Sequence, residues 1–187
     1  MAFGNHCSSH HLRCEAHQAQ LHANVWSELE VPDISAEDVW AVYSSPDLPK
    51  LIVKLMPSYF KRIDYILGDG HVGTILNITL QPTNSGSPLT WQEQFIEINH
   101  STSTKVVRTI NGGFLNMGFT LYEDIFQINR TGSKSCVIRS TVNFIILPGS
   151  ESGASFVTAD WSFAYAIVDY IRANRANNYL ASKTDSQ

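Results

Sequence analysis

The spacing of apolar and polar residues predicts seven strands. Alternation over "VWSELEV", which stops at Pro32, indicates the first strand. Further alternating segments, divided by Gly-, Asn- and Ser-rich turns, predict strands near 58–67, 73–81, 89–98, 104–111, 114–129 and 135–147. Strands that follow one another through short turns are typical of an antiparallel meander, so we expect a single antiparallel sheet.

Three helices are predicted beside this sheet. Ser35 and Asp38 form a Ser-x-x-acid start signal, in which the two side chains satisfy backbone amides of the first helical turn. The segment "LPKLIVKLM" predicts a second short helix that ends before Pro57. After "PGSESGAS" the apolar period becomes helical up to about Ser182, with core positions at Ala164, Ile167, Val168 and Ile171.

This order of elements predicts an α+β domain. A curved sheet that wraps around a long C-terminal helix buries one face of each. Where the helix does not fill the concave side, the inward strand faces enclose a cavity for a small molecule. Polar residues on that inward face are therefore the candidates for chemistry.

Composition indicates one domain. The 187 residues are 43% apolar and 16% charged, which is enough for one sizeable core. We expect a flexible N-terminal extension over 1–23, the folded domain over 24–183 and a short tail over 184–187.

The extension holds five of the seven histidines and no apolar periodicity. The spacing of its Cys and His residues suits zinc as an alternative to a flexible tail, but no second ligand pair follows, and we predict no metal site. These residues are Cys7, His10, His11, Cys14 and His17.

Charge and hydropathy exclude several classes of protein. A net charge of -4 supplies no cationic field for nucleic acid. No run approaches the roughly 18 to 20 apolar residues that span a bilayer, and the first residues contain no apolar stretch typical of a signal sequence. We therefore expect a soluble cytoplasmic protein without a membrane partner. Three cysteines are an odd number, so a disulfide framework is not expected.

The segment "LTWQEQFIEINHSTSTKVVRT" places charges among aromatic residues. Trp91, Glu93 and Phe95 share strand parity, and a hairpin that turns near Asn99 brings Lys105 to the same face. Burial of a charge without a partner is costly, so the two groups either pair with each other or serve chemistry. A plain ion pair on the outer face is the structural alternative.

A second set of candidates lies two strands later. Tyr122, Asp124 and Phe126 share one face, and only one of the neighbouring acids Glu123 and Asp124 can point inward. The alternative for Asp124 is a solvated strand residue.

Three segments carry a resemblance to a known family: "VYSSPDLPKLIVKLMP" (42–57), "GDGHVGTI" (68–75) and "NGGFLNMGF" (111–119). They resemble the birch-pollen-allergen (Bet v 1) superfamily of plants, also called pathogenesis-related class 10, and within it the norcoclaurine and norbelladine synthases. The resemblance implies a helix-grip fold with an internal cavity. The glycine loop lacks the Gly-Lys-Ser/Thr of a phosphate loop, and its glycines are expected to supply positive φ angles.

The resemblance also implies an activity. Norcoclaurine synthases join an arylethylamine to an arylacetaldehyde through an iminium ion that the electron-rich ring attacks, a Pictet-Spengler condensation of alkaloid biosynthesis. The resemblance implies that the protein uses no cofactor and that its partners are small aromatic amines and aldehydes. We expect a monomer or a weak homodimer. The alternative is a non-catalytic carrier of aromatic or hormone-like ligands, because the fold alone does not decide function.

Catalytic roles follow from the family pattern Tyr-x-Glu, Lys and Asp on successive strands. The resemblance assigns Glu93 as the base, Lys105 as the ammonium that polarises the carbonyl and Asp124 as an aid to proton transfer. Trp91 replaces the tyrosine; its indole donates a hydrogen bond but accepts none, so it either changes catalysis or only lines the cavity.

The remaining aromatic residues on the inward faces are candidates for substrate binding. Phe95, Tyr122 and Phe126 would stack on substrate rings together with Trp91. The alternative is that they belong to the apolar core.

Overall fold

The computed structural model describes residues 20–82 and 88–184, with side chains described through residue 177. The strands are β1 (Leu21–Val31), β2 (Phe60–Leu67), β3 (Ile75–Leu80), β4 (Thr90–Asn99), β5 (Thr104–Gly112), β6 (Phe119–Gly132) and β7 (Ser135–Ile146). The α-helices are α1 (Ala36–Tyr43), α2 (Leu48–Leu55) and α3 (Ser162–Thr184). Two short 3-10 helices cover Gly113–Met117 and Glu151–Phe156.

The strands form one curved antiparallel sheet in the order β1-β7-β6-β5-β4-β3-β2. Strands β2 to β7 follow one another as a meander, and β1 pairs with β7. The predicted α+β fold, with a seven-stranded sheet, two short helices after the first strand and a long C-terminal helix, is confirmed.

Helix α3 packs against the concave side of the sheet. Its four predicted core positions are all buried in the main apolar cluster, together with residues of α1, α2, β6 and β7. Arg172 of α3 holds Asp33, which precedes α1, through an ion pair of 2.8 Å. One half of the predicted start signal of α1 is formed, because the backbone amide of Asp38 donates to Ser35 Oγ at 3.2 Å. The Asp38 carboxylate accepts from the Ser35 hydroxyl at 2.5 Å and not, as predicted, from a backbone amide.

The predicted starts of two strands differ from the structure by more than two residues. Strand β1 begins at Leu21 and pairs with β7 from there, so the expected domain start at 24 falls inside a strand. Strand β6 begins at Phe119 instead of 114, because the segment "GFLNM" forms a 3-10 helix. Glycines with positive φ flank that helix, at Gly112 and at Gly118. The apolar residues of this segment alternate as in a strand, and the prediction followed that alternation instead of the flanking glycines, which mark an interruption of the strand.

The glycine loop between β2 and β3 behaves as expected. Gly68, Gly70 and Gly73 have φ values of 84°, 103° and 91°, conformations that L side chains rarely adopt. A Cβ on Gly70 would lie 2.4 Å from Pro46 Cα. The loop is therefore built for a close backbone approach.

The predicted extension up to residue 19 and its Cys and His pattern lie outside the described residues. In the described part of the chain, no helix is long and apolar enough to cross a membrane. Within those same residues, no three His, Cys, Asp or Glu side chains group in a way that could hold a metal ion.

Candidate active site

Two adjoining chambers lie between the sheet and the helices. The inner chamber has a volume of about 100 Å³, and the outer chamber has a volume of about 770 Å³. Glu93, Lys105 and Asp124 all line the inner chamber. Asp124 also lines the outer chamber, together with Trp91 and Tyr122. The structure thus brings together the three candidate catalytic residues, of which strand parity placed Glu93 and Lys105 on one face and the family resemblance added Asp124.

A β-bulge sets the register of these side chains. Phe95 pairs with Val107 and Ile98 pairs with Lys105, which leaves one extra residue on β4 between the two pairs. Strict alternation would turn Glu97 inward, but the bulge keeps Glu97 exposed and brings Ile98 into the core instead. Lys105 therefore faces the same side as Phe95.

Lys105 is the most enclosed charged residue of the site, with an exposed fraction of 1%. Its Nζ donates a hydrogen bond to the carbonyl oxygen of Tyr43 at 3.2 Å and lies 3.9 Å from the centroid of the Phe95 ring. Among the described residues, no carboxylate lies within ion-pair distance of this ammonium group. Burial lowers the pKa of Lys105 to about 8, and the charge of Glu93 opposes that shift only in part.

Glu93 is held by its neighbour on the same face of β4. The indole Nε1 of Trp91 donates a hydrogen bond to Glu93 Oε1 at 2.6 Å. Burial raises the pKa of Glu93, while the hydrogen bond from Trp91 and the positive charge of Lys105 act in the opposite direction. Glu93 is thus an oriented carboxyl group whose basicity is increased.

Asp124 is the inward member of its acidic pair. Glu123 faces the other side of the sheet, where Arg108 holds it in an ion pair of 2.6 Å. Burial, and secondly the negative charge of Glu93, raise the pKa of Asp124 to about 8. At neutral pH the Asp124 side chain is therefore mainly a carboxylic acid that can donate a proton.

The predicted substrate-binding aromatics already contact other protein rings. Tyr122 stacks on Phe114 with centroids 4.2 Å apart and planes 7° apart. Phe126 stacks on Phe163 of α3 with centroids 5.3 Å apart. Both pairs line the outer chamber, and Tyr122 and Phe126 also contact Phe119 and Tyr43, so these rings belong to the apolar core as well as to the chamber wall. Phe95 lines only the inner chamber, beneath the Lys105 ammonium.

Sequence reasoning missed three contributors to the site. Tyr59, which is 52% exposed, lines the outer chamber just before β2. Phe163 lines both chambers and precedes the predicted core position Ala164. The carbonyl oxygen of Tyr43 accepts from Lys105. A helical projection would have found Phe163, but no sequence signal identifies a backbone carbonyl as the partner of a lysine.

The arrangement supports proton-transfer chemistry on a small carbonyl compound. The Lys105 amine, the hydrogen-bonded Glu93 carboxyl group of raised pKa and the protonated Asp124 carboxyl group line one apolar chamber. Polar stabilisation is strongest in such a water-poor environment.

Comparison with known proteins gives norcoclaurine and norbelladine synthases among the relatives of this chain. No protein-family model matches the chain. It is 43% identical over 116 residues to S-norcoclaurine synthase 2 from Papaver somniferum, which covers 62% of the chain and 49% of that protein. It is 35% identical over 133 residues to norbelladine synthase from Narcissus pseudonarcissus, which covers 71% of the chain and 80% of that protein. The chain spans about half the length of the norcoclaurine synthases it matches.

Solved structures agree with these relatives. A point mutant of norcoclaurine synthase from Thalictrum flavum, in complex with a transition-state analogue, has a TM-score of 0.78 and 32% identity, covering 84% of the chain and 99% of that structure. The same enzyme in complex with dopamine and hydroxybenzaldehyde has a TM-score of 0.75 and 29% identity, and the match covers 92% of the chain and 98% of that structure. The chain therefore belongs to the norcoclaurine and norbelladine synthase family.

Proposed function

We propose that this protein condenses an arylethylamine with an aryl aldehyde in a Pictet-Spengler reaction of plant alkaloid biosynthesis, without a cofactor. The observation that carries the proposal is the grouping of Lys105, Glu93 and Asp124 on one small, apolar chamber. A carrier of aromatic ligands has no need of three ionisable groups on an apolar chamber, where removal of each charged form from water costs free energy.

Lys105 polarises the aldehyde carbonyl in this proposal. With a pKa of about 8 it is mainly an ammonium ion at neutral pH, and its Nζ uses one of its three hydrogens on the Tyr43 carbonyl. The remaining hydrogens are available to an oxygen that gains negative charge as the amine attacks.

The two acids take different roles because their surroundings differ. Asp124 carries a proton at neutral pH and donates it when the carbinolamine loses water. Glu93 receives a hydrogen bond from Trp91 and lies near the positive charge of Lys105, both of which favour its carboxylate. Glu93 acts as the base that activates the phenol and later removes the ring proton.

The larger outer chamber suits the aromatic parts of the substrates. Trp91, Tyr122 and Phe126 line it, and its volume of about 770 Å³ lies within the usual range of small-molecule sites. The solved relative that holds dopamine and hydroxybenzaldehyde supports amines and aldehydes of this size as substrates.

The direct test supplies the purified full chain with dopamine and a panel of aryl aldehydes, followed by chiral analysis of the products. We expect one enantiomer in excess and formation above the rate in buffer. Racemic product at the buffer rate for every pair would refute the proposal.

A non-catalytic carrier is the second candidate. The observation that favours it is the hydrogen bond from Trp91 to Glu93, which occupies one oxygen of the proposed base. A carrier binds the aldehyde panel and forms no enantioenriched product, so titration calorimetry on the same preparation separates the two functions.

Location and assembly are also proposals. We propose a cytoplasmic protein that is a monomer or a weak homodimer. Sedimentation velocity over a hundredfold range of protein concentration tests the assembly, and a fluorescent fusion expressed in plant cells tests the location.

A further inference from the structure

The amine of Lys105 is placed for a reaction that the condensation does not use. It is 1% exposed, it has one hydrogen-bond acceptor, and an aromatic ring covers one side of it. We propose that Lys105 forms a Schiff base with aryl aldehydes, which gives this cavity a second, amine-catalysed activity on enolisable aldehydes.

The size and position of the chambers support this proposal. The inner chamber is much smaller than the outer one and contains Lys105, whereas the outer chamber does not. Phe60, Asp124, Phe126 and Phe163 line both, so a ligand can extend from one into the other. An aryl aldehyde that keeps its ring in the outer chamber would present its carbonyl group to Lys105.

Burial makes the amine reactive. Attack on a carbonyl carbon requires the neutral amine, and an ordinary exposed lysine is almost entirely protonated at neutral pH. Lys105 has a pKa of about 8, so roughly a tenth of it is neutral at pH 7. The absence of an ion pair, within the described part of the chain, leaves the lone pair of this neutral form available.

The bond changes balance without an external oxidant or reductant. The nitrogen lone pair forms the C–N bond, the carbonyl π electrons move to oxygen, and a proton passes from nitrogen to that oxygen. Asp124 then donates a proton so that the hydroxyl leaves as water, which gives an iminium that still carries one N–H proton. Loss of that proton gives the neutral imine. Schiff-base formation releases one water for each aldehyde bound.

Glu93 extends the step into a catalytic cycle. An arylacetaldehyde bound as an iminium carries an acidic hydrogen on the carbon next to its C=N bond. Glu93, which lines the same chamber, removes this hydrogen to give an enamine and returns a proton to the same carbon. Water then hydrolyses the iminium, which releases the aldehyde and regenerates the Lys105 amine. In heavy water this cycle exchanges hydrogen for deuterium in the free aldehyde.

Reductive trapping tests the Schiff base. The full chain is incubated with 4-hydroxybenzaldehyde and cyanoborohydride, without any amine substrate, and the labelled residue is found by peptide mass spectrometry. We expect one hydroxybenzyl group on Lys105, with a yield that rises with pH and a midpoint near a pH of about 8. Lys61→Arg, on an exposed position of β2, should label like the wild type.

Lys105→Arg keeps the positive charge but forms no stable imine, so labelling should fall at least tenfold. If this variant does not fold, the peptide map of the wild type still decides. Labelling of surface lysines with Lys105 unmodified would overturn the proposal.

A second readout is deuterium exchange into phenylacetaldehyde, which we expect to depend on Lys105 and Glu93. If the wild type exchanges deuterium only at the rate seen in buffer, the proposed enamine cycle is wrong.

The Schiff base and the condensation fail in distinguishable ways. Trapping contains no arylethylamine, so it proceeds whether or not the protein is a condensing enzyme. Enantioenriched condensation without trapping on Lys105 would overturn only the Schiff base, and trapping with racemic condensation would overturn only the proposed function.

Discussion

Asparagine in place of Asp124 should stabilise the folded protein at neutral pH. Asp124 lies half-buried between the two chambers, and its surroundings raise its pKa from 3.8 to about 8. The native state therefore keeps a proton on this side chain at neutral pH, whereas the unfolded chain releases it. Asparagine has the same shape and carries no ionisable proton, so the variant avoids this cost.

The magnitude follows from the shift in pKa. Each unit of difference between the folded and unfolded states corresponds to about 1.4 kcal/mol. Between the unfolded pKa and pH 7 the difference spans roughly three units, which gives an upper value of roughly 4 kcal/mol for Asp124. The side chain is only half-buried, so solvent screens part of the cost, and we expect Asp124→Asn to gain ~2 to 4 kcal/mol at pH 7.

The sign of each shift determines how stability depends on pH. Asp124 and Glu93 have raised pKa values, so the native state binds more protons than the unfolded chain, and stability falls as pH rises towards about 8. Lys105 has a pKa lowered from 10.5 to about 8, so stability recovers between those values. We expect the free energy of unfolding to pass through a minimum near a pH of about 8.

Urea unfolding followed by far-UV circular dichroism, at several values from about pH 5 to about pH 9, measures this curve. Asp124→Asn should flatten the falling part and raise the free energy of unfolding most at the minimum. Glu123→Gln is the control, because its carboxylate lies on the other face in an ion pair with Arg108. Wild-type stability that rises from pH 5 to pH 8, or an Asp124→Asn variant less stable than wild type at pH 7, would refute the reasoning.

Two further predictions concern Trp91 and the glycine loop. Trp91→Tyr should restore the family's hydroxyl and raise the rate of condensation with dopamine. Trp91→Phe loses the hydrogen bond that lowers the pKa of Glu93, so the acidic limb of its pH–rate profile should move to higher pH. An unchanged profile would argue against a role for this contact. Gly70→Ala should cost roughly 2 to 5 kcal/mol because its Cβ would meet Pro46, and Gly73→Ala, where φ is also positive but the space is open, should cost only ~1 to 2 kcal/mol in thermal melts. Equal costs would show that contact with Pro46 is unimportant.

The sequence was most informative where a short period repeats. Alternation along β4 placed Glu93 on one face with Trp91 and Phe95. Alternation along β6 allowed only one of Glu123 and Asp124 to point inward, and the family resemblance chose Asp124. The structure brings Glu93 and Asp124 to one chamber. Helical spacing from Ala164 to Ile171 identified the buried face of α3. In these elements the solvent-facing and core-facing positions follow directly from backbone geometry.

Other features depend on contacts between distant parts of the chain. The bulge that turns Ile98 inward and Glu97 outward has no glycine or proline to mark it. The partner of Lys105 is a backbone carbonyl at Tyr43, 62 residues earlier, and any residue type could supply it. The pKa values also follow from the depth of burial, which a one-dimensional pattern does not contain.

The central claim is that Lys105 is needed for turnover and is not needed for binding of aromatic ligands. The most direct test compares wild type and Lys105→Ala in two measurements. The first is the affinity for 4-methylphenol, an aromatic ligand with no carbonyl group that could react with Lys105. The second is the rate and enantiomeric excess of the condensation of dopamine with 4-hydroxyphenylacetaldehyde. Loss of one preorganised group that stabilises developing charge typically lowers the rate by about 10² to 10³. We expect that loss in the variant, with racemic residual product and ligand affinity retained, because Trp91, Tyr122 and Phe126 are unchanged. Equal rates and equal enantiomeric excess for the two proteins would contradict the account.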